Sequence, residues 1–222
     1  MTLFIGNSYI TPTIIVNGGS DPTPTPTPID IPTTLGSRLD NKATVVGVLQ
    51  DHEGNDYVLA VVDAAYRSGS AMAWLTRRVD TPLIEHDKET DAKADHHTGK
   101  YNTDLILSTY TATDCPAFNF ARNACTVTIG SNTYYSVLPN LIELQMLYDN
   151  KDVLDQYDPT VSEYSSRSMS GFTCGALYGL LSSTELSSIF AWFIVNDGDV
   201  NGNLKDDTSL GGVCPVICIP LN

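Results

Sequence analysis

The sequence predicts an α+β fold, preceded by an apolar arm and a proline-rich linker. Three observations predict it: many short strand-like runs, few helical patterns, and a change to globular composition near residue 37. At 222 residues, the chain has room for one domain of about 180 residues with an appendage. We therefore divide it into an arm (1–19), a linker (20–36) and a globular domain (37–222).

The arm contains two short apolar, β-branched segments in the stretch LFIGNSYITPTIIV (3–16). Pro12 excludes a central strand position but permits an edge strand or an extended peptide. Such a peptide cannot bury its apolar side chains alone, so it needs its own domain, symmetry mates or a separate partner. The residues that we expect to make this anchoring contact are Leu3, Phe4, Ile5, Tyr9, Ile10, Ile14, Ile15 and Val16.

The linker contains the run DPTPTPTP (21–28). Each proline fixes its own φ and pushes the preceding residue to extended angles, which favours polyproline II. Residues 20–32 would span roughly 40 Å if fully extended, at about 3.1 Å per residue. The run therefore predicts a spacer, and the alternative is a disordered tail.

Strand patterns dominate the globular domain. TVVGVL (44–49) and YVLAVV (57–62) flank a polar turn with Gly54 and predict a hairpin. AWFIVND (191–197), GNLKDD (202–207) and VCPVICI (213–219) predict closing strands, and DGDVNGN (197–203) predicts a turn between the first two.

Two helices are predicted in the middle of the chain. Residues 113–125 would be capped by Thr113 or Asp114, with Pro116 in the first turn. Residues 139–149 carry Asn140 and Glu143 at the spacing of a capping box. An apolar stripe follows that pair, so this second helix should pack on the core.

The overall composition excludes several classes of protein. No apolar run approaches the roughly 18 residues that span a bilayer, so we expect a soluble chain without membrane insertion. The first 19 residues lack Lys and Arg and a continuous apolar core, which argues against a secretion signal. The formal net charge is −14 and the basic residues are scattered, so we expect no nucleic-acid binding.

Three stretches carry a family resemblance. GKYNTDLI (99–106), LPNLIELQMLYDNKD (138–152) and LSSTELSSIFAWFIVNDGDVNGNLKDD (181–207), in that order, resemble the DUF1566 or Lcl C-terminal group of C-type-lectin-like domains. The resemblance implies a C-type-lectin-like domain behind the arm and the Pro-Thr linker. Leu181 replaces the family's tryptophan and Cys214 its arginine, so a ligand surface built from those two residues is not carried over.

The segment LFIGNSYITP resembles short arms at the start of bacteriophage structural proteins. Together, the two resemblances imply a virion structural protein: a head or tail fibre or decoration protein on the virion surface, assembled in the host cytoplasm. The expected partners are a capsid or other virion protein, bound by the arm, and a host-surface glycan or protein. We also expect a homo-oligomer, with a trimer favoured over a dimer, and no catalysis or cofactor.

Two alternatives stay open. The same domain family occurs in bacterial cell-surface proteins, so an adhesin or fimbrial component is one, although export would require a signal or an early lipidation cysteine. An enzyme on a lectin-like fold is the other, because Cys214 and Cys218 would face the same side of a strand. Their apolar setting favours inert thiols, and we expect Cys115, Cys125, Cys174, Cys214 and Cys218 to be mostly reduced and buried.

Two polar stretches resemble metal sites, and for both we expect no metal. DGDVNGNLKDDT (197–208) matches the start of an EF-hand loop but has Thr208 at the twelfth place, so a hairpin turn is favoured. His96 and His97, near Asp91 and Asp95, could bind a transition metal. Adjacent side chains point apart on a regular element, so a solvated surface loop is favoured there.

Overall fold

A computed structural model describes residues 30–68, 70–157, 179–195 and 197–221. The anchoring residues of the arm, the linker up to residue 29 and Cys174 lie outside these ranges. Of the described residues, 25% are helical and 31% lie in strands, which confirms the predicted α+β class.

The helices and strands have the following bounds. The strands are β1 (Arg38–Leu39), β2 (Ala43–Gln50), β3 (Asp56–Val62), β4 (Thr126–Ile129), β5 (Asn132–Tyr135), β6 (Gly179–Glu185), β7 (Phe190–Val195), β8 (Val200–Leu204), β9 (Gly211–Gly212) and β10 (Val216–Pro220). The helices are α1 (Glu89–Ala94), α2 (Gly99–Thr109), α3 (Pro116–Ala124), α4 (Leu141–Asp149) and α5 (Lys151–Tyr157), with a 3-10 turn at Ala64–Tyr66.

The first sheet has the order β1-β2-β3-β10, and each neighbouring pair is antiparallel. The predicted hairpin is confirmed, because β2 and β3 pair and the turn at 51–55 joins them. The final strand, β10, pairs with β3, so the two ends of the globular domain meet in one sheet. Strand β3 is buried along almost its whole length, which explains its continuous apolar run.

The second sheet has the order β8-β7-β6-β9, with β6 parallel to β9. The closing strands were predicted in the right regions, but β7, β8 and β10 are each shorter than the predicted runs. The predicted seven-residue turn at 197–203 was too long, because Val200 already pairs with Ile194. The turn is compact at Gly198, whose φ of 98° is available to glycine and strained for other residues.

Helix α4 confirms the predicted capping box: Asn140 Oδ1 accepts the Glu143 N–H at 2.8 Å, and Glu143 Oε2 accepts the Asn140 N–H at 2.8 Å. Helix α3 begins later than predicted, with Cys115 at the N-cap and Pro116 in the first turn. Thr113 and Asp114 do not cap it, because Asp114 accepts the Thr111 hydroxyl at 2.8 Å within a preceding turn.

The core consists of three apolar clusters. One lies between the first sheet, α4 and the second sheet, and one joins α2 and α3 to the second sheet. The third covers the other face of the first sheet with β4. Ile31 packs against this third cluster and Leu35 against the first, so the chain already contacts the core at the end of the linker. Among the described helices, none is long and apolar enough to cross a bilayer.

Candidate functional site

A two-lobed cleft opens where the β2–β3 turn, the start of α2 and the end of β10 meet. Its larger lobe encloses about 340 Å³, with Asp51, Asn55, Asp56, Thr98, Lys100 and Cys218 among its lining residues. Its smaller lobe encloses about 180 Å³, with Lys100, Asp104, Arg122, Thr133, Tyr135 and Cys218 among its lining residues. Because Lys100 and Cys218 line both lobes, we treat them as one cleft.

A fully buried carboxylate, that of Glu143, lies behind the cleft. Its Oε1 accepts the Tyr57 hydroxyl at 2.8 Å and the Cys218 thiol at 3.5 Å. The Gly99 N–H donates to both oxygens at 3.1 Å, and the Asn140 N–H donates to Oε2. One side chain thus joins β3, β10 and the first turns of α2 and α4.

The electrostatics of Glu143 reflect two opposed effects. Burial raises the pKa of its carboxyl above the ordinary value, while hydrogen bonds from Asn140, Tyr57 and Gly99 oppose that shift. Asn140 caps α4 and Gly99 begins α2, so two helix N-termini face the carboxylate and favour its charge. The sequence predicted the capping box but missed the wider role of Glu143. The available signal was an acidic residue amid apolar neighbours in LIEL.

Gly99 is required by close packing at this point. A Cβ atom there would lie 2.4 Å from the Leu138 carbonyl oxygen and 2.5 Å from Glu143 Oε2. The absence of a side chain therefore lets α2 begin directly against the α4 cap. Helix α2 itself was not predicted, although Thr98 Oγ1 caps it by accepting the Tyr101 N–H at 3.1 Å.

The cysteines in the described part of the chain are buried thiols outside any disulfide, as expected; they are Cys115, Cys125, Cys214 and Cys218. Burial raises the pKa of the Cys218 thiol well above its ordinary value, and the Glu143 charge adds to that shift. Its contact with Glu143 is therefore that of a neutral hydrogen-bond donor. Cys214 precedes β10 and packs in the same apolar cluster.

A cluster of three rings, two of them stacked and the third tilted, joins the β2–β3 turn to α2 beside the cleft. His52 lies parallel to His97, with ring centroids 4.4 Å apart, and Tyr101 is 4.7 Å from His97. Asp95 holds His97 Nδ1 at 2.6 Å and His86 Nε2 at 3.0 Å. Partial burial opposes ionisation of Asp95, but hydrogen bonds from His97 and His86 outweigh it and hold the pKa of Asp95 below its ordinary value.

The structure confirms the predicted surface loop for His96 and corrects it for His97: both lie in the loop at 95–98 between α1 and α2, but the His97 side chain is partly buried. Residues Glu89–Ala94 form α1, and only His96 of the two histidines is exposed. His97 turns inward to Asp95, which agrees with the expectation that the two side chains point apart. Asp91 lies in α1, and its side chain is exposed.

A second buried charge, Lys205, was not predicted. Its Nζ donates to Glu185 Oε1, to the Val79 carbonyl at 2.8 Å and to the Ser188 carbonyl at 3.1 Å, so all three protons have acceptors. Burial raises the pKa of Glu185 and lowers that of Lys205, while the hydrogen bond between them opposes both shifts. The pair ties β6 to the residue after β8.

The structure also bears on the two stretches that resemble metal sites. Asp197 and Asp199 lie in the β7–β8 hairpin, where Asp197 Oδ1 accepts the Asp199 N–H at 3.1 Å, so strands flank this loop where an EF-hand would have helices. Elsewhere among the described residues, Asp80, Glu85 and Glu185 lie close enough to share a cation. Lys205 already supplies a positive charge to Glu185.

A separate groove along α3 encloses about 570 Å³. Its lining includes Met72, Pro116, Phe120 and Ala124, together with Thr76 and Asn119. The described residues that line the groove are apolar or neutral, so they offer mainly apolar contact.

Comparison of the chain with protein-family models, with characterised proteins and with solved structures finds no match. The predicted anchoring residues of the arm lie outside the described residues.

Proposed function

We propose that this chain is a bacteriophage virion structural protein, a head or tail fibre or decoration protein. The arm binds a capsid or other virion protein, the Pro-Thr linker separates the two parts, and a C-type-lectin-like body faces the host. The body makes adhesive contacts with the host surface. The protein assembles in the host cytoplasm and acts as a homo-oligomer on the virion surface.

The observation that carries this proposal is the order of the three parts along the chain. An apolar peptide of some sixteen residues precedes four prolines in alternation with threonine, and the body follows at once. Ile31 and Leu35 already pack against the core, so the proline run directly precedes the body. An apolar arm on a stiff spacer suits attachment of one body to another.

The mutual contacts of the three family-like stretches support the lectin-like assignment of the body. They belong to α2, α4 and β6, which are far apart in sequence. The Gly99 N–H donates to Glu143, Asn102 Nδ2 donates to Ser183 Oγ at 3.2 Å, and the Leu141 N–H donates to Thr184 Oγ1 at 3.0 Å. Stretches that share one hydrogen-bonded network are what a common structural core would contain.

Deletion of residues 2–16 tests the anchoring role. The truncated chain should fold with an unchanged far-UV circular dichroism spectrum and thermal midpoint, but should no longer co-sediment with purified particles. A matched variant keeps the arm and replaces the prolines from Pro22 to Pro28 by Gly and Ser, and it should still co-sediment. Normal incorporation of the truncated chain would overturn the anchoring proposal.

A further inference from the structure

We propose that the two-lobed cleft is a binding site for a neutral saccharide. This inference deepens the proposed adhesive role and relies on that role for placing the saccharide on a cell surface. Three features of the described residues carry it: exposed tyrosine rings, free hydrogen-bonding groups of both kinds, and a rigid rear wall.

The tyrosine rings supply apolar contact at the cleft. Tyr135 is 58% exposed and lines the smaller lobe together with the partly exposed Tyr134. A tyrosine face carries partial negative charge, which attracts the polarised C–H bonds on one face of a pyranose ring. Exposed rings of this kind also present a large contact area at low conformational cost.

The polar side chains of the cleft retain unused hydrogen-bonding capacity. Among the described residues, Lys100 Nζ donates only to Asp104 Oδ2, which leaves two of its protons free. Within the described part of the chain, the Asp56 carboxylate accepts only the Gln50 amide, through Oδ1, and the hydroxyls of Thr133 and Tyr135 make no hydrogen bond. The cleft therefore offers an ammonium group, a carboxylate oxygen and two hydroxyls, and a sugar hydroxyl both donates and accepts.

The charges at the cleft favour a neutral ligand over a phosphorylated one. Lys100 and Arg122 both bind Asp104, so a carboxylate already faces each of the two cations. Asp51 and Asp56 add further negative charge to the larger lobe. A phosphate needs an excess of donors and positive charge, whereas a neutral polyol needs a balance of donors and acceptors.

The rear of the cleft is held in place before any ligand arrives. Tyr57 and Cys218 line the larger lobe, and both donate to the buried Glu143. The stack of His52 on His97 fixes the β2–β3 turn against the start of α2. The larger lobe, at about 340 Å³, lies within the range of small-molecule sites, roughly 300–1,000 Å³. A preformed site of this kind loses little entropy on binding.

Ligand-observed saturation-transfer NMR on the purified full-length chain tests the proposal. The probes are lactose, maltose and N,N′-diacetylchitobiose, each at millimolar concentration, with glucose 6-phosphate as the anionic probe. We expect saturation of the ring protons of at least one neutral disaccharide. The signal should fall at least fivefold in Tyr135→Ala and in Lys100→Ala. Both side chains are exposed, so neither variant should unfold.

Ile84→Ala is the matched control, because Ile84 is an exposed apolar residue that lines neither lobe, and it should leave the signal unchanged. The proposal fails if the neutral probes give no transfer, if glucose 6-phosphate alone gives it, or if transfer survives both cleft substitutions. Since the assay uses purified protein, such a failure leaves particle incorporation intact. Loss of incorporation on deleting the arm, in turn, does not depend on the saccharide signal.

Discussion

Replacement of Glu143 by Gln examines the buried network behind the cleft, because it changes one oxygen into a donor with almost no change in volume. The carboxylate accepts hydrogen bonds from Asn140, Gly99, Tyr57 and Cys218, and each of these groups presents a proton to it. An amide can accept through only one of its two terminal atoms. In either orientation of the amide, its NH2 group therefore faces at least one group that already presents a proton.

The less costly orientation keeps the amide oxygen at the position of Oε2. The Asn140 and Gly99 N–H groups then keep their acceptor, and the new NH2 group faces the Tyr57 hydroxyl and the Cys218 thiol. Tyr57 loses its charged acceptor, a bond worth about 1.5–3 kcal/mol, or else rotates to accept from the amide. We therefore expect Glu143→Gln to lower the free energy of unfolding by about 2 kcal/mol.

Urea denaturation of the full-length chain, followed by tryptophan fluorescence and circular dichroism, measures this change. Tyr57→Phe removes one donor from the same oxygen, so the double variant should lose clearly less than the sum of the two single losses. A Glu143→Gln variant within about 0.5 kcal/mol of the parent, or strictly additive losses, would contradict the network as described.

Three further substitutions test the remaining contacts. Lys205→Met leaves the Glu185 charge buried and unpaired, so urea denaturation should show a loss of about 3–5 kcal/mol in the free energy of unfolding. Adding Glu185→Gln should restore most of that loss, and no recovery would argue against the ion pair. Gly99→Ala should lower the thermal midpoint of the protein although alanine favours helices, because the new Cβ would overlap the Leu138 carbonyl oxygen. Gly47→Ala is the control, since a Cβ there has room, and equal thermal midpoints for the two variants would contradict the close packing at Gly99. Asp95→Asn should cost stability near neutral pH. Because the pKa of Asp95 is lowered in the folded state, ionised Asp95 stabilises the fold at pH values above its ordinary pKa of 3.8. The difference in free energy of unfolding between the parent and Asp95→Asn should therefore shrink as pH falls below 3.8. A difference that grows at low pH would contradict this.

The sequence predicted those elements whose signals are local. Asn140 and Glu143 form a capping box within four residues, and the β2–β3 hairpin follows from two apolar runs around a glycine turn. Both structures depend on neighbouring residues, so a single sequence is enough to indicate them. The same holds for Pro116, which marks the first turn of α3.

The elements that the sequence missed depend on distant partners. Strand β6 reads GLLSSTE, and its polar residues are stable in the interior only because Lys205, Thr81 and residues near α4 bind them. Helix α2 begins with Gly99, a poor helix former, because close packing against α4 excludes a side chain. The β7–β8 turn is shorter than predicted. Its Asn and Gly residues favour a turn, but pairing with β7 holds residues 200–203 in a strand.

In the candidate site, too, the features that depend on neighbouring residues were predicted and those that depend on distant partners were not. Cys218 was predicted to be an inert buried thiol, and its donation to Glu143 agrees with that prediction. The cleft itself could not be predicted, because Asp51, Lys100 and Tyr135 come from three segments that only the tertiary fold brings together. The anchoring residues from Leu3 to Val16 stay a prediction.

Localisation of the protein on purified particles tests the central claim most directly. Gold-labelled antibodies against the body should decorate the surface of intact particles, and the label should disappear when residues 2–16 are deleted from the chain. Label on the envelope of uninfected cells, with none on particles, would contradict the account and favour a bacterial adhesin.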